Sequence, residues 1–484
     1  MNQVVRIGYQ TGLLLFLALP MSVLAQPANN LTQAIHFLKL AGTLRAVDKS
    51  EESIPLIGRA LPVLRAQSPY WSAVAYEVLG LAYDDIHKPD EAVHYLEIAR
   101  SRYGRLKYVA SGWAVNEVIR NIAGKNLYAG IQLGADGVRV AIFKTRYESD
   151  FYEKNIRSSF YIPNGEPVAD LSARLPMTRN ALETGLDSIR RYNIPNERIF
   201  VVLSSDLRER YNSSPAGRQL LDKQLAQLVP DNRVRIDTTL TAQREAELFT
   251  IGAVPRKSWA TTSALNIGAD ATTAGYINQT NPMAPRQFYG TTFNMGINKL
   301  VEQVTEQKMT GMIAFRREAE KLVQSITDST FVPWLRQAPP GLRTRRVVAV
   351  GGEAVNALVT CLYPEKAGAT AVPITTLDAS RFRQLALTNY AQLLRPDLSN
   401  IADPVLKAKA ESQLRIIRET MNERQTVAAA LWLDAVVKAY TVGYGVRQFV
   451  FIRDANIGWV TGKFLETINH EYESTIAKGE FYTR

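Results

Sequence analysis

The 484-residue sequence contains very little cysteine and histidine, and this scarcity excludes several classes of protein. A single cysteine, Cys361, rules out a scaffold built on internal disulfides and a zinc site rich in cysteine. Because its neighbours in the sequence are apolar, we predict that Cys361 is buried. Catalysis by histidine is also disfavoured, because three of the four histidines fall in one helical region and the fourth lies near the C-terminus. They are His36, His87, His94 and His470.

Long hydrophobic runs are also missing. Beyond the first 25 residues there is no stretch of about 18 consecutive apolar residues, the length that a membrane-spanning helix needs. The first 25 residues have the features of an export signal, with the basic Arg6, an apolar run over 13–24 and the small Ala25. We therefore predict cleavage after Ala25, no membrane span in the mature chain, and export, with the periplasm as the expected location.

The overall composition is that of an ordinary globular protein. Hydrophobic residues make up 46% and charged residues 21%, which excludes collagen-like, coiled-coil and wholly disordered chains. The 57 Lys and Arg outnumber the 46 Asp and Glu, which gives a formal net charge of +11. A positive field favours polyanions without indicating which one, and we expect no nucleic acid among the partners.

Residues 31–124, within the region 26–126, show only helical periodicity. The spacing of small and aromatic residues within this region resembles a tetratricopeptide repeat. Small residues such as Gly80 and Ala92 would let two helices approach closely. Stacked helical hairpins often leave a groove that binds a peptide of a protein partner, whereas a plain helical cap on the main domain explains the pattern equally well. The residues at repeat spacing are Tyr76, Leu79, Gly80, Tyr83, Ala92, Leu96 and Ala99.

Two segments of the remaining chain repeat each other. Residues 130–142 and 265–277 each read as a strand, a Gly-Ala-Asp turn and a second strand. Converging backbone N–H groups in such turns form a concave anion-binding surface. The repetition predicts a duplicated domain with a cleft between its halves.

Other motifs follow in a fixed order. The strand 198–206 precedes Arg208. Thr241 is placed to cap a helix that carries Glu245 in its first turn. A later strand, 346–350, runs into the turn Gly351-Gly352.

This ordered series resembles the exopolyphosphatase / guanosine pentaphosphate phosphatase family over about residues 127–460. The resemblance implies an α/β fold, a duplicated actin/Hsp70-like (ribonuclease H-like) two-lobed domain preceded by the all-α region. The signal peptide and the helical region are additions to the family pattern. Together with the resemblance they divide the chain into a signal peptide (1–25), a tetratricopeptide-repeat-like region (26–126), a first lobe (127–262), a second lobe (263–460), and a C-terminal helix and tail (461–484).

The resemblance also implies roles for individual residues. Glu245 matches the family's candidate general base, although the helix dipole alone also favours a glutamate there. Arg208 matches a phosphate-binding arginine, and a salt bridge to Asp206 or Glu209 is the alternative. Gly351 and Gly352 match the turn near which a nucleotide base would lie in related proteins. The implied ligand- or phosphate-binding residues are Gly134, Ala135, Arg208, Gly268, Ala269, Gly351 and Gly352.

Three positions depart from the family pattern. Gln132 and Asn266 stand where the family has aspartates, and Thr273 stands where it has a glutamate. These replacements remove three negative charges from the expected metal site, and Mg²⁺ binds chiefly through carboxylates and water. Asp136 and Asp270 could hold a cation across the cleft instead, or each could cap its own turn.

These observations leave three functions open. The first is an exported, catalytically degenerate protein that acts as a binding or scaffold protein for a phosphate-rich anion and an envelope partner. The second is an active exported phosphoanhydride hydrolase of polyphosphate or a nucleotide, which would need a divalent metal, Mg²⁺ or Mn²⁺. The third is a pure interaction module whose partner binds residues 26–126. If the protein has no catalytic activity, we expect no cofactor.

Overall fold

The computed structural model describes residues 27–134, 137–148, 151–163, 171–212, 235–237, 239–279, 286–306, 311–442 and 445–478, and the single positions 215, 219 and 223. The predicted signal peptide and the predicted site residues Ala135 and Asp136 lie outside this range. Within it, none of the helices has the length and hydrophobicity needed to cross a membrane.

The chain forms two compact units. The helical unit contains the residues up to 126, a short segment at 147–152, and the residues from 469 onward. The two-lobed unit contains residues 127–146 and 153–468.

The helical unit begins with five consecutive helices. Asn30 caps the first, because its side chain accepts a hydrogen bond from the Gln33 N–H. Proline occupies the first position of the third and fourth helices, where its missing N–H costs no hydrogen bond. The helices are α1 (Leu31–Ala46), α2 (Ser50–Gln67), α3 (Pro69–Asp85), α4 (Pro89–Arg105) and α5 (Val109–Ile122).

The close approach predicted around Gly80 is present between α3 and α4. A Cβ atom on Gly80 would lie 2.6 Å from Leu96 Cγ and 3.0 Å from the Ala92 carbonyl oxygen. Leu96 and Ala92 are both buried. A side chain at Gly80 would therefore force the two helices apart. The assignment to tetratricopeptide repeats stays a prediction.

An aromatic cluster fastens the two later segments of the chain into the helical unit. The Trp113 indole N–H donates a hydrogen bond to the Tyr152 hydroxyl. Tyr147 and Tyr472 are joined through their hydroxyls, 2.9 Å apart. The Asn469 side chain accepts from the Tyr152 N–H (2.7 Å) and donates to the Tyr152 carbonyl (3.1 Å).

The first lobe contains a five-stranded sheet in the order β5-β2-β1-β6-β7. The strands β1, β2 and β5 are antiparallel, whereas β6 and β7 run parallel to β1. A two-stranded ribbon, β3 (Arg146–Tyr147) with β4 (Tyr152–Glu153), is separate from this sheet. The sheet strands and the lobe's helices are β1 (Leu127–Leu133), β2 (Gly137–Lys144), β5 (Ile156–Pro163), α6 (Leu171–Arg190), β6 (Ile199–Leu203), α7 (Ser205–Asn212) and β7 (Arg235–Asp237).

The second lobe contains a six-stranded sheet in the order β10-β9-β8-β11-β13-β12. Its strands are β8 (Thr262–Ile267), β9 (Thr272–Asn278), β10 (Gln287–Phe293), β11 (Val347–Gly351), β12 (Ala371–Ile374) and β13 (Gln448–Ile452). The remaining helices are α8 (Ala242–Ala253), α9 (Ile297–Thr305), α10 (Met312–Ile326), α11 (Val332–Gln337), α12 (Gly341–Thr344), α13 (Glu353–Leu362), α14 (Thr376–Thr388), α15 (Tyr390–Leu393), α16 (Pro404–Thr420), α17 (Glu423–Thr441) and α18 (Gly458–Lys478).

The two sheets share one connectivity. In each lobe the first three strands form an antiparallel meander, and the next strand pairs in parallel with the first. The duplicated, two-lobed ribonuclease H-like fold predicted from the sequence is thus confirmed.

Two helices each pack on a sheet other than the one that they follow in the chain. The helix α8 follows the first sheet in the chain but packs on β8, β9 and β10 of the second sheet. The first half of α18 follows the second sheet but packs on the first, where Phe464 stacks on Phe143 at 4.7 Å between ring centroids. The backbones of the two helices are in direct contact. A Cβ atom on Gly252 would overlap the carbonyl of Gly458, and a Cβ atom on Gly462 would overlap the carbonyl of Leu248.

Candidate functional site

A cavity of about 340 Å³ lies in the cleft between the two lobes. The first lobe contributes residues of β2 and β5, including Arg139 and Tyr161. The second lobe contributes residues of α9, α13 and α16, including Asn298, Glu353 and Lys409. Of the predicted site residues, Ala269 and Gly352 line this cavity, whereas Glu245 and Arg208 are not among the described lining residues.

The two Gly-Ala-Asp turns are held by backbone hydrogen bonds. The Gly134 N–H donates to the Gly137 carbonyl (2.9 Å), and the Gly268 N–H donates to the Ala271 carbonyl (3.1 Å). The second turn also supports α9, because the Gly268 and Ala269 carbonyls accept from the N–H groups of residues 297 and 298 at 3.2 and 2.7 Å.

Asp270 contacts α9 through its side chain. Its Oδ1 accepts a hydrogen bond from the Asn298 side-chain amide at 3.4 Å. Its predicted partner Asp136 lies outside the described residues. The cation site proposed for this pair therefore stays a prediction.

The strand positions next to the turns correspond between the lobes. Gln132 on β1 faces Arg139 on β2, and Asn266 on β8 faces Thr273 on β9 in the same register. Directly opposite residues of an antiparallel pair share a face of the sheet. Each lobe thus presents two polar side chains at the same place beside its turn.

Gln132 is almost fully buried, with 4% of its surface exposed. Its side-chain N–H donates to the Asn456 carbonyl at 3.1 Å. Its Oε1 has no hydrogen-bond partner in the part of the chain that the structure describes. A buried acceptor without a donor is costly, so this oxygen can take a hydrogen bond from a water molecule or a ligand.

The turn Gly351-Gly352 packs on the end of β8. Gly352 has a φ of 95°, in the region that favours glycine. A Cβ there would lie 2.7 Å from Asn266 Oδ1 and would overlap the Ile267 carbonyl. Both the backbone conformation and the lack of space therefore require glycine, and this turn directs α13 toward the cleft.

Arg139 and Glu353 form an ion pair across the cleft. The distance from Arg139 Nη2 to Glu353 Oε1 is 2.9 Å. The guanidinium also lies over the ring of Tyr161, its cross-strand neighbour on β5, at 4.9 Å from the ring centroid. Stacking on a planar ring and pairing with a carboxylate fix the direction of the guanidinium.

Glu245 is buried, and its carboxylate accepts hydrogen bonds from the first residue of α7. The Thr241 side chain caps α8, as predicted, by accepting from the Arg244 N–H. One turn further along this helix, Glu245 accepts hydrogen bonds from Ser205 at both oxygens: Oε1 from the backbone N–H at 2.5 Å and Oε2 from the hydroxyl at 2.8 Å. The carboxylate therefore holds the N-terminus of α7, the helix that carries Arg208.

The Arg208 side chain is half-buried. Its Nε is buried and has no hydrogen-bond partner among the described residues. No ion pair with Glu209 is found in this described region, and the Asp206 side chain lies outside the description. The phosphate-binding role of Arg208 stays a prediction.

The described residues do not fit a magnesium or manganese site. The positions that the resemblance assigns to metal ligands carry an amide with an unpartnered oxygen (Gln132), a second amide (Asn266) and a buried hydroxyl (Thr273). Hard divalent cations prefer carboxylates. Across the described residues, no three acidic, histidine or cysteine side chains lie together in a way that could hold a metal.

Sequence reasoning missed the ion pair. The sequence repeat could have indicated Arg139. The spacing between Arg139 and Thr273 is the same as the spacing between Gln132 and Asn266, so Arg139 is the equivalent of Thr273 in the first lobe. Nothing local indicates that Glu353 reaches the other lobe, because its partner is 214 residues away.

Comparisons with known proteins give matches among solved structures. No protein-family model and no curated protein matches the sequence. An exopolyphosphatase-like protein is 16% identical, with 72% of this chain and 99% of that chain covered and a TM-score of 0.47. An exopolyphosphatase from Cytophaga hutchinsonii is 13% identical (71% and 97% covered, TM-score 0.47), and a Ppx/GppA phosphatase from Aquifex aeolicus is 13% identical (69% and 98%, TM-score 0.43). Over about 70% of its length, the chain is similar to structures of the family that its sequence motifs resemble.

Proposed function

We propose that this protein binds a phosphate-rich anion in the cleft between its lobes and does not hydrolyse it. One observation carries the proposal: the four equivalent strand positions beside the turns hold two amides, a hydroxyl and a guanidinium, and no carboxylate. They are Gln132, Arg139, Asn266 and Thr273, and of these Arg139 is among the described residues that line the cavity. Such groups bind oxyanions through hydrogen bonds and charge, but they do not supply the carboxylates that usually hold a catalytic metal.

The charges around the cavity support an anionic ligand. Its charged lining residues are the cations Arg139, Lys409 and Arg453 and the anions Glu353 and Asp454, an excess of one positive charge among the described residues. The Arg453 guanidinium donates hydrogen bonds to the carbonyls of residues 366 and 369 and to the Gln413 side chain. Lys409 is exposed on α16 and is the cation most accessible to a ligand.

The hydrogen bonds of Glu245 also favour binding over hydrolysis. A general base needs an oxygen directed at the attacking water. In this protein each carboxylate oxygen of Glu245 accepts a hydrogen bond from Ser205, and Glu245 is not among the described residues that line the cavity. We therefore assign Glu245 the role of a positioning residue for α7.

The test uses tripolyphosphate as the probe. Isothermal titration calorimetry measures its binding to the purified chain, and a phosphate assay measures release with and without Mg²⁺ or Mn²⁺. We expect binding without release. Metal-dependent release that is lost in Glu245→Gln would instead favour the hydrolase. Absence of binding by both the chain and its Glu353→Gln variant would overturn the proposal.

Two lysines of α16 provide a matched pair of variants. Lys409 lines the cavity, whereas Lys407, two residues away, projects from another side of the helix and is not among the described lining residues. Lys409→Gln should weaken tripolyphosphate binding severalfold, and Lys407→Gln should not. Equal weakening by both variants would indicate a general surface effect of charge.

Export to the periplasm and a protein partner for residues 26–126 belong to the same proposal. Tyr70 and Tyr108 support the partner, because both are exposed in the helical unit and their rings contact each other at 5.2 Å between centroids. Exposed aromatic side chains are enriched in protein interfaces. Capture of one partner by the chain and its loss in Tyr70→Ser would test this part.

A further inference from the structure

The Arg139–Glu353 ion pair joins the two lobes inside the cleft. Arg139 lies on β2 of the first lobe, and Glu353 is the first residue of α13 in the second. Both side chains line the cavity. Only 9% of the arginine side chain and 27% of the glutamate side chain are exposed, so solvent screens their attraction less than it would at the surface.

The Glu353 carboxylate occupies surroundings that suit an oxyanion. It lies at the N-terminus of α13, where the helix dipole favours negative charge. Its Oε2 lies beside the second Gly-Ala-Asp turn, 3.6 Å from the position that a Cβ of Gly268 would take. Its Oε1 accepts the hydrogen bond from Arg139 at 2.9 Å. A helix N-terminus, a glycine turn and an arginine together are the usual surroundings of a bound phosphate.

Next to Arg139, a buried polar side chain has one atom without a hydrogen-bond partner among the described residues. Gln132, the cross-strand neighbour of Arg139, is more than nine-tenths buried, and its Oε1 has no partner in the described part of the chain. Its amide group is fixed by the carbonyl of Asn456, a cavity-lining residue. Because this oxygen is an acceptor, a water molecule beside the ligand, and not a phosphate oxygen, can donate a hydrogen bond to it.

We propose that Glu353 is a built-in competitor of the anionic ligand. Its carboxylate takes the place of one phosphoryl group of the ligand, and binding requires that this group displace Glu353 from Arg139. This inference rests on the proposed function, because it describes how the same cleft is regulated. Displacement replaces a bond between the lobes by a bond from Arg139 to the ligand.

The test compares the chain with Glu353→Gln, which keeps the size and one hydrogen-bond acceptor but removes the charge. Calorimetry with tripolyphosphate should show affinity higher by about tenfold or more in Glu353→Gln, because the competing charge is gone. Replacing Arg139 by Gln in the Glu353→Gln background should abolish the gain. Glu353→Asp, which retains the charge on a shorter side chain, should give an intermediate affinity and serves if Glu353→Gln fails to fold.

The matched control is Glu197→Gln. Glu197 is exposed and lies just before the first residue of β6, whereas α7 follows the last residue of that strand. Its replacement changes the net charge by the same amount, so it should leave the affinity unchanged. A gain in Glu197→Gln equal to that in Glu353→Gln would overturn the inference.

The outcomes separate this inference from the function on which it rests. Equal binding by the chain and Glu353→Gln, or weaker binding by the variant, would overturn the competitor role and leave the proposed function standing. Absence of binding by every variant would overturn the proposed function itself.

Discussion

Arg139 occupies in the first lobe the place that Thr273 occupies in the second. Each residue faces an amide across an antiparallel strand pair, Gln132 in one lobe and Asn266 in the other. The duplicated halves have therefore kept their backbone register while their side chains have diverged. The arginine gives the first lobe a cation that reaches across the cleft, and the threonine gives the second lobe none.

Replacing Glu245 by Gln should lower the stability of the two-lobed unit. The amide can accept at only one side, so one Ser205 donor loses its partner inside the protein. We expect a loss of about 1–3 kcal/mol in the free energy of unfolding, measured by urea denaturation. Ser205→Ala, which removes the hydroxyl alone, should cost less.

Glu247→Gln serves as the control on the same helix. Glu247 pairs with Arg244 at a half-exposed position, and such pairs contribute at most about 1 kcal/mol. If Glu245→Gln and Glu247→Gln have equal effects, the Ser205 contacts do not hold α7 as described.

Replacing Gly462 by Ala should destabilise the crossing of α8 and α18. The added Cβ would overlap the Leu248 carbonyl, and backbone cannot move aside as a flexible side chain can. Overpacking of this kind costs about 1–3 kcal/mol. Gly42→Ala in α1 is the matched control, because no described atom lies within 4 Å of its new Cβ. That change should be neutral or stabilising, as alanine favours helix.

Asp237 should make the contact between β7 and α18 sensitive to acid. Burial alone would raise the pKa of Asp237, but hydrogen bonds from Lys463 and Thr239 lower it below its ordinary value of 3.8. A lowered pKa in the folded state stabilises the protein above pH 3.8, and this contribution is lost as the pH falls through the folded-state pKa.

Asp237→Asn removes this dependence. The difference in urea midpoint between the chain and Asp237→Asn should shrink as the pH is lowered from about 5 to below 3. Asp187→Asn, at an exposed pair on α6, should show little difference at any pH. A constant difference for Asp237→Asn would contradict the assignment.

The single cysteine should be unreactive in the folded protein. Cys361 is buried, as predicted, and burial raises its pKa to about 12. Only the thiolate attacks a disulfide reagent, so a coloured disulfide reagent at about pH 8 should release one equivalent only after unfolding. Rapid reaction of the native chain would show that the helix α13 opens readily.

The fold followed from the sequence because its signals are local and repeated. The hairpins around residues 134 and 268, the cap at Thr241 and the glycine turn at 351–352 all depend on residues close together in the chain. The repetition of one hairpin then implied the second sheet.

The site was less accessible to sequence reasoning. The pairing of Arg139 with Glu353 and the hold of Glu245 on Ser205 join residues 214 and 40 positions apart. Which of the many charged residues meet across a cleft depends on how the two sheets are placed. Neither periodicity nor motif spacing contains that information.

The exchange of α8 and α18 has a consequence for any half of this protein expressed alone. A chain ending at residue 262 would contain α8 but neither the sheet on which it packs nor α18, which covers its own sheet. The complementary half would expose the face of its sheet that α8 covers. Each fragment therefore contains the helix that covers the sheet of the other fragment. The two fragments should regain structure only when they are mixed.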